Sequence, residues 1–325
     1  MRFRYIDRTK GLAILLVVVG HLIAREPPPG DVEWYEHLKH IIYTFHMPLF
    51  MAVSGLVYGL TWKPAPTLGG DMTDARRRVL RLLPSYLLFG IVVFLGKLTF
   101  QTLGQGVDNP LNGAGDLVRL LVRPSASFAS FLWYIYALSV LYIVFPLAFR
   151  AARGYLLPLL VVSGAFWLLP NGTWFAWDKL RLFTVFYVMG VIAGRHHEVA
   201  LRWLGTLWIP ALVAFVALLP FAEHNDWAGW ATAWVSLLAL PGLLRATESW
   251  PLGLLDTIGR YTLIIYLTNT IFIGLLKVAA VHVGVWEGRF FPLIAVVMTV
   301  VAIGGAILLK RTVLPLYRPL DRITS

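Results

Sequence analysis

The stretch GLAILLVVVGHLIA (Gly11–Ala24) has His21 as its only ionisable side chain and directly follows the basic segment that ends at Lys10. A helix of roughly 20 mostly apolar residues crosses the hydrocarbon layer of a bilayer. Similar runs recur along the chain, which is 58% hydrophobic and 14% charged, whereas soluble domains carry about a quarter charged residues. One soluble core cannot hide that much apolar surface. The sequence therefore predicts an all-α, polytopic membrane helix bundle.

About ten transmembrane helices are predicted from the apolar runs. Their expected positions are near 8–25, 38–60, 82–103, 129–149, 154–171, 179–195, 203–222, 228–245, 258–281 and 290–310. The first run resembles a signal peptide, but Leu22-Ile23-Ala24 is a poor cleavage site, so an uncleaved first helix is expected. Because the loops are short, residues 1–325 are predicted to form a single integral membrane domain without a soluble extracytoplasmic domain.

The basic residues predict the orientation. When the N-terminus is placed inside, most of the 28 Lys and Arg residues fall on inner segments, as the positive-inside rule requires. An even number of spans then puts both termini in the cytoplasm, and the cell inner (cytoplasmic) membrane is the expected location. The net charge of +11 therefore indicates contact with anionic lipid, and no nucleic acid partner is expected. The chain has no cysteine, which excludes disulfides, thiolate metal sites and cysteine nucleophiles, and no metal is expected.

His21 is the first candidate catalytic residue. Lys10 precedes it by eleven residues, which is about three helical turns plus 20°, so the two side chains are predicted to share a face roughly 16 Å apart along the axis. An intramembrane histidine usually faces a cavity or a partner, and imidazole is the commonest general base. The structural alternative is a histidine that packs against a neighbouring helix.

His46 is predicted at a similar depth in the second span, two residues before Pro48. Proline removes a backbone donor from a helix, and such a break beside a buried polar group is typical of a cavity lining. His46 is therefore the second candidate catalytic residue. A proline kink with a hydrogen-bonded histidine is the structural alternative.

An arginine cluster precedes the third span, with Arg76, Arg77, Arg78 and Arg81. Arg78 and Arg81 are three residues apart and therefore share a helix face. The planar guanidinium offers paired donors to phosphate. Arg77, Arg78, Arg81 and Lys10 are the candidate residues for binding a phosphate-bearing cofactor, and simple positive-inside anchoring is the alternative.

Three further residues are candidates for substrate binding. Trp133 and Tyr134 open the fourth predicted span at the outer face, where aromatic belts also occur. Asn269 lies in the ninth span, where a buried amide is expected to form hydrogen bonds.

These features together resemble acyltransferase family 3, the polytopic membrane O-acyltransferases, and most closely their fucose 4-O-acetylase-like branch. The segments that carry the resemblance are Ile6–Leu22 (IDRTKGLAILLVVVGHL), Phe45–Gly59 (FHMPLFMAVSGLVYG) and Arg76–Leu88 (RRRVLRLLPSYLL), with fainter echoes at Phe131–Leu138, Phe186–Gly194 and Ile258–Asn269.

The resemblance implies an acyl-CoA donor, usually acetyl-CoA, that enters from the cytoplasm, and a carbohydrate or glycoconjugate acceptor reached from outside. The essential histidine of the family matches His21, its basic residue eleven positions earlier matches Lys10, and its arginine pair matches Arg78 and Arg81. Many members carry Arg at the position of Lys10 and His at the position of Asn269.

The resulting hypothesis is an acyl-CoA-dependent O-acyltransferase in the lipid bilayer. Acyl-CoA phosphates would bind near the arginine pair, and the thioester would reach His21, which would deprotonate the acceptor hydroxyl. His46 would orient His21 or stabilise the oxyanion, and an acyl-histidine intermediate is a further possibility. The rival function is a solute transporter or flippase that uses the same polar groups.

Overall fold

The computed structural model describes residues 3–23, 29–104, 106–317, 321 and 324. Within these residues the regular structure is entirely helical, which confirms the all-α prediction. The α-helices are α1 (Arg4–Gly20), α2 (Glu33–Thr61), α3 (Leu68–Thr102), α4 (Gly115–Val122), α5 (Trp133–Ala151), α6 (Leu156–Ala165), α7 (Trp177–Arg195), α8 (His197–Thr206), α9 (Trp208–Ala222), α10 (Asp226–Ala246), α11 (Gly253–Arg260), α12 (Thr262–His282) and α13 (Phe291–Thr312).

Six helical segments of the described chain are long and apolar enough to cross a membrane. They are Glu33–Thr61, Leu68–Thr102, Ser130–Ala151, Asp226–Ala246, Thr262–His282 and Phe291–Leu316. A seventh span results if α8 and α9, which meet at a bend of 68°, are taken together. The multi-pass architecture is therefore confirmed, whereas the count of ten spans and the cytoplasmic placement of both termini stay predictions.

Several helix boundaries differ from the predicted ones. The first helix ends at Gly20, before the expected end of the first span, and residues 24 and 25 of that span lie outside the described residues. The helix predicted over 203–222 is broken at Leu207, and the one predicted over 258–281 is broken at Tyr261. Mean hydropathy is averaged over a window of many residues, so it does not locate a break at a single residue.

The chain divides into two compact units. Unit 1 comprises Met1–Leu60 and Gly190–Ser325, and unit 2 comprises Thr61–Met189. Unit 1 holds α1, α2, the end of α7 and α8 to α13, whereas unit 2 holds α3 to α6 and most of α7. The prediction of a single membrane domain stays a prediction, and each unit is described by itself below.

Glycines allow the helices of unit 1 to touch backbone to backbone. A Cβ on Gly190 would overlap the carbonyl oxygen of Ala52 in α2, and one on Gly194 would overlap that of Leu56. In the same way, a Cβ on Gly259 of α11 would overlap the carbonyl oxygen of Asp7 in α1. Small residues permit this close approach between membrane helices, which explains why glycines recur in the quoted segments.

An ion network around the buried Arg8 joins the start of α1 to α11 and to the segment before it. Arg8 is fully buried, and its Nε donates to Oδ1 of Asp256 at 3.0 Å. Its other nitrogens donate to the carbonyl oxygens of Thr247 at 2.5 Å and Trp250 at 2.8 Å. Arg4 donates to Oδ2 of Asp256 at 2.8 Å. The hydrogen bond from Arg4, followed by that from Arg8, holds the pKa of the Asp256 carboxyl below its usual range.

Unit 2 is organised around α3 and α5. Trp62 is buried and packs edge-on against Phe145 and Phe149 of α5, at ring-centroid distances of 5.6 and 5.2 Å. Lys97 of α3 donates to the carbonyl oxygens of Asp108, of Asn109 at 3.1 Å and of Phe128 at 2.7 Å. Its ammonium group therefore holds the loop that follows α3 in place.

Candidate active site

His21 stands at the end of helix α1 rather than inside it. The helix ends at Gly20, and His21 is the C-cap residue, with φ −99° and ψ 0°. Its backbone N–H donates to the carbonyl oxygen of Val18 at 3.1 Å, and its side chain is half-buried. The contacts of this turn, rather than helix geometry alone, therefore determine where the imidazole lies.

Asn269 of α12 holds the His21 imidazole. The Asn269 side chain is fully buried, and its Nδ2 donates to the carbonyl oxygens of Ile265 at 3.0 Å and Tyr266 at 2.7 Å. The amide orientation follows from these two bonds, and Oδ1 then faces Nδ1 of His21 at 3.1 Å. An amide oxygen only accepts hydrogen bonds. In this arrangement Nδ1 of a neutral His21 carries the proton, and Nε2 presents its lone pair.

His46 is buried in α2, and its Nδ1 donates to the carbonyl oxygen of Ile42 at 2.7 Å. The neutral imidazole therefore has a bare Nε2, which accepts but cannot donate a hydrogen bond. Helix α2 continues through Pro48. The Tyr43 ring packs on His46 at 5.0 Å between ring centroids, and its hydroxyl donates to the carbonyl oxygen of Gly20. Tyr43 thus connects the element of His46 with the turn of His21.

Lys10 lies in α1 with its side chain 31% exposed, and its Nζ is 3.6 Å from Oδ1 of Asp7. Helix α1 is continuous from Lys10 to Gly20. The predicted helical spacing between Lys10 and His21 therefore holds up to Gly20, the residue before His21. The proposed cofactor contact of Lys10 stays a prediction.

The arginine cluster belongs to unit 2 and has two kinds of members. Arg78 is half-buried, donates through Nε to Oδ2 of Asp74 at 2.7 Å, and reaches Oγ1 of Thr61 at 3.1 Å. Arg77 and Arg81 are exposed and form no hydrogen bond or ion pair with the residues that the structure describes. Arg78 is thus committed to protein contacts, whereas Arg77 and Arg81 retain their donors.

Trp133 and Tyr134 also lie in unit 2, at the start of α5. Trp133 is half-buried, its ring stacks on Phe183 at 5.3 Å between centroids, and the Lys179 ammonium lies 5.8 Å from its centroid. Tyr134 is buried. Of the two, Trp133 has the more accessible ring, and a contact of either residue with substrate stays a prediction.

Sequence reasoning missed three residues that contact the turn of His21. Tyr35, Lys39 and Tyr43 of α2 donate to the carbonyl oxygens of Val19, Ile23 and Gly20. Their spacing of four residues places them on one helix face. Polar-tipped side chains at that spacing, directly after the first apolar run, were the available signal.

No group of three or more His, Cys, Asp and Glu residues with metal-binding geometry occurs in the described part of the chain.

The fold and the site define a multi-pass, all-helical membrane protein with a histidine held at the end of helix α1. Residues 3–311 match the family model described as an acyltransferase domain. The chain belongs to this family, acyltransferase family 3.

Two curated relatives match a short segment. The nodulation protein NolL of Mesorhizobium japonicum is 48% identical over 50 residues, which are 15% of this chain and 13% of that protein. The NolL protein of Sinorhizobium fredii is 48% identical over 50 residues, or 15% of this chain and 14% of that protein. The matches thus span about an eighth of the length of these relatives. No solved structure matches the chain.

Proposed function

We propose that this protein transfers an acyl group, acetyl in particular, from cytoplasmic acyl-CoA to a hydroxyl of a cell-surface or exported glycan or glycosylated molecule. We place it in the inner membrane. Membership of the acyltransferase family supports the transfer reaction, and the apolar helices support the membrane setting. The donor, the acceptor and the membrane are part of the proposal.

The bond between His21 and Asn269 is the observation on which this proposal rests. A general base needs an unprotonated nitrogen directed at the proton that it removes. With Nδ1 engaged by Oδ1 of Asn269, the other nitrogen of His21, Nε2, is the basic one. This is the division of roles known from catalytic histidines that a neighbouring oxygen holds in one tautomer.

The reaction balances with His21 as the proton carrier. Nε2 of His21 takes the proton of the acceptor hydroxyl. At the same time the hydroxyl oxygen forms a bond to the carbonyl carbon of the thioester. The carbon–sulfur bond then breaks, and the CoA thiolate leaves and recovers the proton from the imidazolium. The products are an O-acyl ester and CoA thiol, and no oxidant or reductant is consumed.

In this proposal neutral His46 does not stabilise the oxyanion. An oxyanion needs a donor, and neutral His46 already uses its Nδ1 proton on Ile42. We assign His46 to accept a hydrogen bond from a second hydroxyl of the acceptor, or from water beside His21. Stabilising an oxyanion would require the imidazolium form.

Arg81 and Arg77 are the proposed phosphate contacts of the donor in unit 2. Exposed guanidinium groups without an acidic partner are available to a phosphate, which accepts paired hydrogen bonds from the planar fork. Arg78 would act mainly by holding the cluster through Asp74 and Thr61. Trp133 and Tyr134 are the proposed aromatic contacts of the sugar.

The base is tested by acetyl-CoA consumption in purified protein reconstituted in lipid nanodiscs, with CoA release followed by a thiol reagent and acetyl transfer followed by mass spectrometry of extracted glycans. We expect His21→Ala to reduce turnover by two or more orders of magnitude, with an unchanged unfolding temperature. Wild-type turnover in His21→Ala would eliminate His21 as the base. Solute uptake without CoA release would instead favour a transporter.

The donor site is tested separately by the Michaelis constant for acetyl-CoA. Loss of one phosphate contact in Arg81→Gln should raise that constant about tenfold, the equivalent of about 1.4 kcal/mol, with little change in kcat. Arg76→Gln is the matched control, because Arg76 is also exposed and is not part of the proposed phosphate contacts. Equal Michaelis constants for acetyl-CoA in the two variants would mean that Arg81 only anchors the chain at the membrane surface.

A further inference from the structure

The end of α1 has an unusual set of partners. The last carbonyl groups of a helix lack intrahelical partners and are commonly satisfied by a glycine-based turn or by water. Here the residue after Gly20 is His21, which cannot adopt the left-handed turn as easily as glycine. Side chains of α2 supply the missing donors instead.

Tyr35 closes the turn that contains His21. Its hydroxyl donates to the carbonyl oxygen of Val19 at 2.9 Å and accepts from the backbone N–H of Ile23 at 3.2 Å. One oxygen atom therefore bridges the residues two before and two after His21. The Tyr35 side chain is 1% exposed, and its ring packs edge-on against Phe291 of α13 at 5.2 Å between centroids. The ring of Tyr35 is thus packed against α13 while its hydroxyl holds the turn of His21.

Lys39 and Tyr43 also contact the turn that contains His21. They follow Tyr35 by one and two helical turns along α2. Lys39 donates to the carbonyl oxygen of Ile23 at 3.1 Å and pairs with Oε2 of Glu36 at 3.3 Å. Tyr43 donates to the carbonyl oxygen of Gly20 at 2.8 Å. The ring of Tyr43 also covers Gly20 so closely that a Cβ there would lie 2.6 Å from Cε1 of the ring. A positive group at the carbonyl end of a helix is electrostatically favourable as well.

We propose that Tyr35, Lys39 and Tyr43, here named the α2 clamp, are positioning residues that set the location of the His21 imidazole for acyl transfer. The inference rests on the proposed function of His21. Asn269 holds the imidazole by its ring nitrogen, and the α2 clamp holds the backbone on both sides of it. The two supports come from different helices, so together they determine both the position and the tautomer of the base.

The clamp matters for rate because proton transfer tolerates little displacement. A misplacement of about 1 Å in a reacting group lowers the rate by about 10²-fold. His21 follows the last helical residue, so no further helical hydrogen bond restrains it beyond that of its own N–H to Val18. Without the clamp the turn Val19–Ile23 loses the donors that tie it to α2.

Tyr35→Phe is the main test, because it removes both hydrogen bonds of the bridge and keeps the packing of the ring. In nanodiscs, with acetyl-CoA and thiol release as the assay, we expect kcat to fall between tenfold and a hundredfold while the Michaelis constant for acetyl-CoA stays within twofold. Lys39→Met should lower kcat in the same way, and Lys39→Arg should restore most of it because it keeps a cationic donor. The matched control is Tyr86→Phe, which loses a hydrogen bond of the same kind, from a buried tyrosine to the carbonyl oxygen of Leu120 in unit 2.

The combination of Tyr35→Phe with His21→Ala separates positioning from general stability. If the clamp acts through His21, Tyr35→Phe causes no further loss of residual turnover in the His21→Ala background. Multiplied losses in that double variant, or wild-type kcat in both Tyr35→Phe and Lys39→Met, would overturn the clamp. Full activity of His21→Ala would contradict the proposed base itself, which is a different result.

Discussion

At the scale of single residues, the two ring nitrogens of His21 have different roles: Nδ1 contacts Asn269, and Nε2 is the candidate base. Oδ1 of Asn269 engages Nδ1 of His21, and two backbone carbonyls fix the direction of the Asn269 amide. The amide is thus a partner of the candidate base, and its contact with substrate stays a prediction. A neutral histidine at position 269 could also accept a hydrogen bond from Nδ1 of His21.

Replacement of Asn269 tests this partnership. Asn269→Leu removes the acceptor and leaves the tautomer of His21 undefined, so we expect kcat for acetyl-CoA turnover to fall on the order of 10²-fold. Asn269→His keeps an acceptor and should stay within about threefold of wild type. Thr270→Val is the matched control on α12, because its buried hydroxyl has no hydrogen-bond partner among the residues that the structure describes. Equal losses in the leucine and histidine variants would contradict the role of the acceptor.

At the scale of elements, the helices of unit 1 are held by close backbone contacts and by polar groups at their ends. Gly190 and Gly194 bring α7 against α2, and the Arg8–Asp256 network ties the start of α1 to α11. The first feature fixes α7 against α2, and the second fixes α1 against α11. Tyr35, Lys39 and Tyr43 of α2 then connect α2 to the turn of His21.

The glycine contact predicts a difference between two chemically identical substitutions. Gly190→Ala and Gly96→Ala both gain helix propensity, by up to about 1 kcal/mol. A Cβ at Gly190 overlaps Ala52, whereas one at Gly96 in α3 meets nothing within 4 Å. We expect overpacking in Gly190→Ala to cost about 1–3 kcal/mol and to lower the unfolding temperature in detergent, with Gly96→Ala unchanged or more stable. Matching unfolding temperatures would mean that α7 and α2 are less tightly packed than described.

At the scale of the whole molecule, charge predicts the direction of the chain in the membrane. The apolar helices confirm a multi-pass protein, and the positive-inside rule then assigns loops to sides. Lys63 and Asn112 are both exposed residues between helices. Lys63 is predicted to face the cytoplasm, and Asn112 is predicted to face the outside.

The absence of cysteine makes this orientation directly measurable. A membrane-impermeant maleimide should label Asn112→Cys in intact cells. It should label Lys63→Cys only after the cells are opened, so that the reagent reaches the cytoplasm. The unsubstituted chain, which has no thiol, gives the background of the assay. The reverse labelling pattern would invert the orientation, and it would place the arginine cluster on the wrong side for cytoplasmic acyl-CoA.

The sequence by itself determined the class of fold, because an apolar fraction of 58% is a bulk property that needs no tertiary information. It also identified His21, His46 and Asn269 as polar groups that a lipid-facing helix would not retain. The partnership of His21 with Asn269 was decided only by tertiary structure, because 248 residues separate them. The break after Gly20 and the α2 clamp were likewise decided by tertiary structure. The end of a helix depends on which hydrogen-bond donors neighbouring elements bring to its free carbonyls, and hydropathy does not predict those donors.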